Sequence, residues 1–395
     1  MRYNRKKFIK RGLQLGTLLT VPNLLEYCST YTPSHRNVGQ YGDDPIRNAE
    51  WIGLKSPILK ALNVGITAPN PHNTQAWKFR IESDLELLLF VDEKRLLPQT
   101  DPSGRQIHIG QGCFLEHLRI GANKIGYNTK ITLFPEGEYT YQDSGKKPVA
   151  KVVLEKDENL EKDVLFNAIL NRATNRSIYE GNLIQEEEFQ KILSRSRIRF
   201  SSLKFINSTE NLNKYKEFLK KAFEIETNTY SKHEESRAWF RYNDEEIYKF
   251  RDGISLRGNG LSGAKLWMVE NFFLKEGQDI WHSESNRKGG IDIFIDQIES
   301  TKALVLFKTK ENSMKDWIQV GMDYARFHLS LTESGLVMQP LSQILQEYPE
   351  MDSLRKELDT SEKIVKNEKI QMIVRLGRSG YKFFSPRRDP KSMIL

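Results

Sequence analysis

Between Ala68 and Trp77 the chain reads Ala68-Pro69-Asn70-Pro71-His72-Asn73-Thr74-Gln75-Ala76-Trp77, and no other stretch limits the fold as sharply. Two prolines within three residues forbid a helix and favour an extended, kinked backbone. Asn73 and Gln75 add planar amides that both donate and accept hydrogen bonds. Trp77 closes the run with a large apolar anchor. A rigid, amide-lined strap of this kind suits the edge of a flat heteroaromatic ring. The same composition also describes a Pro/Asn loop pinned by a buried Trp.

The formal charge of +8 over 395 residues suggests a polyanion partner until the charge is located. Arg2, Arg5, Lys6, Lys7, Lys10 and Arg11 all fall in the first eleven residues, with no acid among them. Without residues 1–28 the chain holds 54 basic and 51 acidic residues, a net of +3. A phosphate backbone needs a concentrated patch, so nucleic acid is excluded as the expected partner. The basic head and the apolar stretch 13–25 read as an export-signal-like leader over 1–30, too short to span a membrane stably. Asn4-Arg5-Lys6-Lys7-Phe8-Ile9-Lys10 resembles a twin-arginine motif with Lys6 in place of the second arginine. Export to a bacterial periplasm or envelope is the expectation, with no stable membrane span once the leader is removed. An uncleaved amphipathic helix and a cytoplasmic location follow if the leader is not recognised. Beyond the leader only Cys113 remains, so no internal disulfide is expected. Its helical apolar surroundings make it a small buried hydrophobe.

Two segments share one pattern. Phe114, Leu118, Ala122 and Ile125 form an apolar stripe between Gly112 and Gly126; Trp317, Val320, Tyr324, Phe327 and Leu331 form another around Gly321 and Gly335. The spacing of three and four residues predicts two amphipathic helices, and the two glycine pairs are both offset by 209 positions. Strand-like runs at 85–91 and 303–307 precede them. A duplicated α+β unit is the economical reading, and two unrelated helices the alternative. Strands are also expected at 148–154 and 369–376, and helices at 185–193, 212–227 and 353–358. The first half then spans 45–160 and the second 161–395. Residues 231–290 read as an irregular, polar insertion of the kind that serves as a lid.

Three further stretches carry chemistry. Arg172-Ala173-Thr174-Asn175-Arg176 can present a guanidinium fork and a hydroxyl to one phosphate, with Arg176 reaching a second acceptor; it is also the composition of a solvated turn. Ser385-Pro386-Arg387-Arg388-Asp389-Pro390 is a stiffened two-arginine hook, or a surface tail. From Gly335 to Pro340 a left-handed cap is followed by extended backbone. Gly258-Asn259-Gly260-Leu261-Ser262-Gly263 matches G-x-G-x-x-G, but no buried strand precedes it and no acidic strand end follows, so a flexible lid is the better reading than a dinucleotide fingerprint. No zinc-type Cys/His spacing and no Gly-x-Ser-x-Gly elbow occurs. His72, His108, His117 and His328 show no ligand pattern.

Together these motifs resemble nitroreductase-like flavoproteins. Asn70 to Trp77 is similar to their S-x-x-N-x-Q-P-W signature, Arg172 to Arg176 to their R-x-S-x-R, Gly335 to Pro340 to their G-L-x-x-x-P, and Arg387-Arg388 to their terminal basic hook. Asn70 replaces the usual Ser and Ala76 the usual Pro; Ser342-Gln343 stands where many members carry an acidic residue and Gly. The motif order resembles the Acg-type branch, in which two such halves are fused, over about 45–392. The resemblance implies an α+β fold: a tandem pseudo-two-fold pair of nitroreductase-like halves, each a sheet flanked by helices.

It also implies one site for flavin mononucleotide (FMN). Arg172, Thr174, Arg387 and Arg388 would grip its phosphate, with Arg176 at the pyrimidine edge. Pro69, Asn70, Pro71, Asn73 and Gln75 would line the ring from the first half, and Pro340, Leu341 and Ser342 would lie near its reactive nitrogen. The flavin carries the chemistry, so no catalytic side chain and no metal are expected. The function implied is an FMN-dependent oxidoreductase taking hydride from NAD(P)H and passing it to a small acceptor such as a quinone or nitro compound. The alternative is an FMN-sequestering protein with an occluded flavin and little turnover. A monomer with an internal pseudo-dimer, or a homodimer, follows.

Overall fold

The structure, a computed structural model, describes residues 45–270 and 276–395. The leader lies outside the described residues. Among those described, no helix is long and apolar enough to cross a membrane.

The first half opens with α1 (Pro45–Trp51) and α2 (Pro57–Gly65). Pro57 occupies the first turn of α2, where no backbone N–H partner is required. After the strap come β1 (Trp77–Ser83) and β2 (Glu86–Val91), then the long helix α3 (Arg105–Lys124), β3 (Tyr127–Leu133) and β4 (Ala150–Lys156). The sheet order is β1-β2-β4-β3, antiparallel throughout. The Leu-Leu-Leu-Phe-Val run of β2 is buried because that strand is central.

The second half repeats this connectivity. It begins with α4 (Glu186–Ser196), β5 (Ser202–Ile206) and α5 (Thr209–Asn228). An insertion follows: α6 (Tyr230–Ala238), the short strand β6 (Phe240–Arg241), α7 (Asp244–Phe250), β7 (Ile254–Ser255), α8 (Gly263–Met268), α9 (Gln278–Trp281) and α10 (Glu284–Glu299). The chain then forms β8 (Ala303–Thr309), the long helix α11 (Met314–Glu333), β9 (Val337–Pro340), α12 (Asp352–Ser361) and β10 (Lys369–Gly377). Its sheet order is β5-β8-β10-β9, again antiparallel. Each sheet is thus strand, strand, 20-residue helix, strand, strand, with the last strand placed inside the third.

The helices α3 and α11 cross at their glycines. A Cβ on Gly112 would run into the Ile318 carbonyl and stand 3.0 Å from Gly321 Cα; a Cβ on Gly321 would run into the Ile109 carbonyl. One apolar core joins both helices to both sheets, including Phe114, Leu118, Phe307, Phe327 and Val374. Cys113 is buried within it, its thiol donating to the Gly321 carbonyl at 3.2 Å.

The α+β architecture and every strand and helix expected outside the insertion are present; most ends agree within three residues, while α3 and α11 each begin seven residues before the expected Gly112 and Gly321. The insertion is the correction. Residues 231–290 are largely helical, not irregular, and they carry a small core of their own (Phe240, Leu256, Leu261, Leu266, Trp281). Their helices are short and polar, so no long apolar stripe announces them.

Candidate functional site

The strap is strained and tied at many points. His72, Asn73 and Gln75 have φ of 48°, 52° and 52°, a left-handed region that side chains other than glycine's disfavour. Asn70 Oδ1 accepts from the Gln75 amide at 2.8 Å, which closes the turn. The C-terminal tail clamps it from outside. Arg387 donates through Nε to Ile66 O (2.7 Å), through Nη2 to Thr67 O (3.0 Å) and Ala68 O (2.9 Å), and through Nη1 to Asn73 Oδ1 (2.9 Å). Asn73 Nδ2 donates back to Pro386 O at 3.2 Å. Gln75 joins a third segment: its Oε1 accepts from the Arg388 amide (2.8 Å) while its Nε2 donates to Arg251 O of the insertion (2.8 Å).

The basic turn faces the strap. The Asn175 amide donates to Met338 O (3.0 Å), which docks the turn on β9. Arg172 is 3% exposed and donates through Nη2 to Thr67 O at 3.1 Å. Burial pulls its guanidinium down to about 10. Burial also lowers Arg176, whose Nη1 donates to Gly258 O at 3.1 Å; the groups acting on it are the Tyr324 and Tyr179 phenols rather than carboxylates. His72, on the strap, is held near 4 by burial and by the Arg176 cation.

Strap, turn, insertion and tail surround one narrow cavity that is partly open to solvent. Pro69, Asn70, Asn73, Arg172, Thr174, Arg176 and Arg387, all among the candidate site residues, are in its lining. The other predicted residues stand elsewhere. Pro71 packs toward Gly110 of α3. Gln75 is occupied as the tie between tail and insertion. Arg388 is turned away from the cavity, its Nη1 3.7 Å from Asp92 Oδ2. Leu341 is fully buried in a separate core, and Ser342 Oγ lies against Met372 and the Ile373 amide; with Pro340 they are outside the lining. Arg387 is present but its N–H groups are engaged by carbonyls. It is a clamp on the strap, which corrects its expected part as a phosphate ligand.

The insertion supplies a wall that the sequence did not disclose: Arg241, Ile247, Asp252, Ile254, Ser255 and Gly258. Asp252 is buried between two arginines, with Arg241 Nη2 at 2.6 Å and Arg95 Nη1 at 2.8 Å. Of the glycines in the G-x-G-x-x-G match, Gly260 (φ 84°) serves close approach: a Cβ there would stand 2.5 Å from Arg176 O. Phe383 and Phe384, next to the basic hook, complete the lining. Their adjacency to that hook was a signal available in the sequence.

No protein-family model matches the chain. An uncharacterized protein of Mycobacterium tuberculosis is 41% identical over 86 residues, which are 21% of this chain and 24% of that protein. "Putative NAD(P)H nitroreductase acg" of the same organism is 36% identical over 78 residues, 20% of this chain and 23% of that one. The chain is similar to nitroreductase-like proteins. The aligned part spans about a quarter of the length of these curated relatives. Among solved structures, the FMN-dependent nitroreductase NfnB from Mycobacterium smegmatis in complex with NADPH overlaps 57% of this chain and 94% of its own, at 14% identity and a TM-score of 0.35. A nitroreductase-titled structure from Anabaena variabilis overlaps 74% and 69%, at 9% identity and 0.36. Overlaps that loose carry no argument, and the cavity is interpreted from its own residues.

Proposed function

We propose that the chain is an FMN-dependent oxidoreductase of the nitroreductase type, taking hydride from NAD(P)H and delivering it to a small acceptor such as a quinone or nitro compound. The observation that carries this reading is the convergence of an amide-bearing strap and a buried arginine turn on one cavity. A buried guanidinium acted on by no carboxylate, as at Arg176, suits an anionic guest. A flat, phosphorylated ring also suits the remaining lining, which includes Pro69, Phe383 and Phe384.

Arg172 and Thr174 would hold the phosphate and Arg176 the pyrimidine edge. When bound, the flavin supplies hydride acceptance and release. Arg176 would favour negative charge on that edge and so raise the potential of the pair. Pro69 would pack beside the ring, while Asn70 and Asn73, whose amides are tied to Ala68, Gln75, Pro386 and Arg387, would hold the strap in place along it. The matching connectivity of the two sheets supports a fused pair of halves that retains one site, as a monomer with an internal pseudo-dimer or as a further homodimer. Export of the chain is part of the same proposal and rests on the leader alone.

A second reading, flavin sequestration with little turnover, is favoured by one observation. The insertion is bonded directly onto the strap and tail: the Gly253 amide to Asn73 O (3.3 Å), Arg251 Nε to Arg387 O (2.8 Å), and Asp252 to Arg95. One experiment separates the two. Purified protein lacking residues 1–30 is reconstituted with FMN, and its visible spectrum is followed anaerobically on adding NADPH. Bleaching, then sustained turnover with a quinone, supports the oxidoreductase. Bound flavin that resists bleaching supports sequestration, and failure to bind FMN removes both.

A further inference from the structure

Two imidazoles meet inside the insertion, away from the cavity. His233 of α6 and His282, just past α9, place their Nδ1 atoms 3.1 Å apart. Their rings cross at 78°, with Tyr230 stacked on His282 and Trp281 on His233. On its far side His282 Nε2 lies 2.9 Å from Glu234 Oε2. A carboxylate only accepts, so His282 carries its proton on Nε2. Neutral His282 therefore offers Nδ1 as an acceptor, and His233 must supply the single proton between the two rings.

That arrangement has no room for a second proton between the nitrogens. If both rings are protonated, two N–H groups face each other at 3.1 Å, and two positive charges share one apolar enclosure. Of the surrounding charges Glu234 alone opposes this, from the far side of His282. Glu234 is already engaged by Arg237, whose Nε and Nη2 donate to it at 2.8 and 2.7 Å. Arg287 of α10 adds a cation facing His233. Burial, His282 and Arg287 together hold His233 near 4, with Glu234 the one opposing influence. A base depressed in this way resists protonation only while folded, so the contact weakens as pH falls from about 6.5, the ordinary histidine value, toward 4.

The contact is placed where its loss matters. Trp281 Nε1 donates to His233 O at 3.0 Å, and its ring packs on Phe240 with centroids 5.0 Å apart. Helix α6 runs through Trp239 into β6, whose Arg241 lines the cavity. We propose that the His233–His282 pair is an acid-sensitive latch that fastens α6 to α9 and releases the insertion's wall of the cavity on acidification. The latch is a property of the insertion itself and does not depend on what the cavity binds.

Limited proteolysis of the full chain at pH 7.5 and 4.5, with a protease active at both and cuts mapped by mass spectrometry, tests the proposal. Cleavage within 228–290, normalised to cleavage elsewhere, is expected to quicken at least tenfold at the lower pH, with a ceiling of about 70-fold set by a folded value near 4 against about 6.5 unfolded. His282→Phe keeps the stacking ring and removes the proton, and is expected to abolish that acceleration; His282→Gln serves as the second variant if the first does not fold. The same tenfold rise in the variants, or an acceleration spread evenly over the chain, overturns the proposal.

Discussion

Arg176 and Arg387 line the same cavity, yet their surroundings assign them opposite parts, and a matched pair of variants reads the difference. Among the described residues the Arg176 side chain makes one hydrogen bond, to Gly258 O. Arg176→Ala should leave stability within about 1 kcal/mol of the parent. If the cavity holds FMN, the same variant loses a charge-assisted hydrogen bond worth about 1.5–3 kcal/mol, or about 10- to 150-fold in Kd. Arg387 instead satisfies Ile66 O, Thr67 O, Ala68 O and Asn73 Oδ1 at once. A lysine at 387 keeps the charge but donates from a single point, which leaves at least two of those acceptors bare. At about 1–3 kcal/mol for each unsatisfied buried group, Arg387→Lys should cost about 2–6 kcal/mol. Urea unfolding gives the stabilities and flavin fluorescence quenching gives the affinities. The assignment is refuted if Arg387→Lys unfolds with the parent while binding FMN weakly, or if Arg176→Ala binds as the parent does.

Three other substitutions test separate features of the fold. Gly112→Ala forces a methyl onto the Ile318 carbonyl at the α3–α11 crossing; overpacking against backbone should cost about 3 kcal/mol or more, read as a lowered urea midpoint. Lys363 is exposed and follows α12 with φ of 52°, so Lys363→Gly should raise stability by about 0.5–1 kcal/mol, visible as a higher Tm. Glu226, 8% exposed at the end of α5, is raised by burial to about 7. Its folded form keeps a proton that the unfolded chain loses, so stability falls as pH rises from about 4.5 to 7 and stays low above that. Glu226→Gln should therefore gain up to about 3 kcal/mol at pH 8 and nothing at pH 4, as equilibrium unfolding at the two pH values would show.

What the sequence disclosed follows from how local each signal is. The strap announces itself because proline acts on its own backbone and on its immediate neighbour. The basic turn does so because Arg172, Thr174 and Arg176 fall two and four residues apart. Of the two glycine pairs with a shared offset, Gly112 and Gly321 meet at the helix crossing, while Gly126 and Gly335 follow the two helix ends. The insertion was opaque for the opposite reason. Arg241 and Asp252 become partners only after α7 folds between them, and α6 has too few apolar residues to show a stripe. Neighbouring arginines were the hardest to separate. In extended backbone adjacent side chains point to opposite sides, so Arg387 turns in to the strap and Arg388 out to Asp92, and sequence assigns neither direction. Leu341 and Ser342 were placed by analogy with a ring-side segment; the pull of a second core on Leu341 decided otherwise.

The strap's strain explains why its clamp is an arginine. Three left-handed side-chain residues within four positions each cost about 1–3 kcal/mol, so an isolated strap would relax and its amides would turn away from the cavity. Only a partner fixed in direction, serving several acceptors together, can hold such a bend. A planar guanidinium does this; an ammonium on a flexible stem does not. The tail that carries Arg387 is in turn bonded to the insertion through Arg251. Strap, tail and insertion therefore set the cavity's shape jointly and before any guest arrives. On the proposed reading, the affinity for a flavin would depend on Arg176, while the persistence of the cavity depends on Arg387, which is directed at the strap.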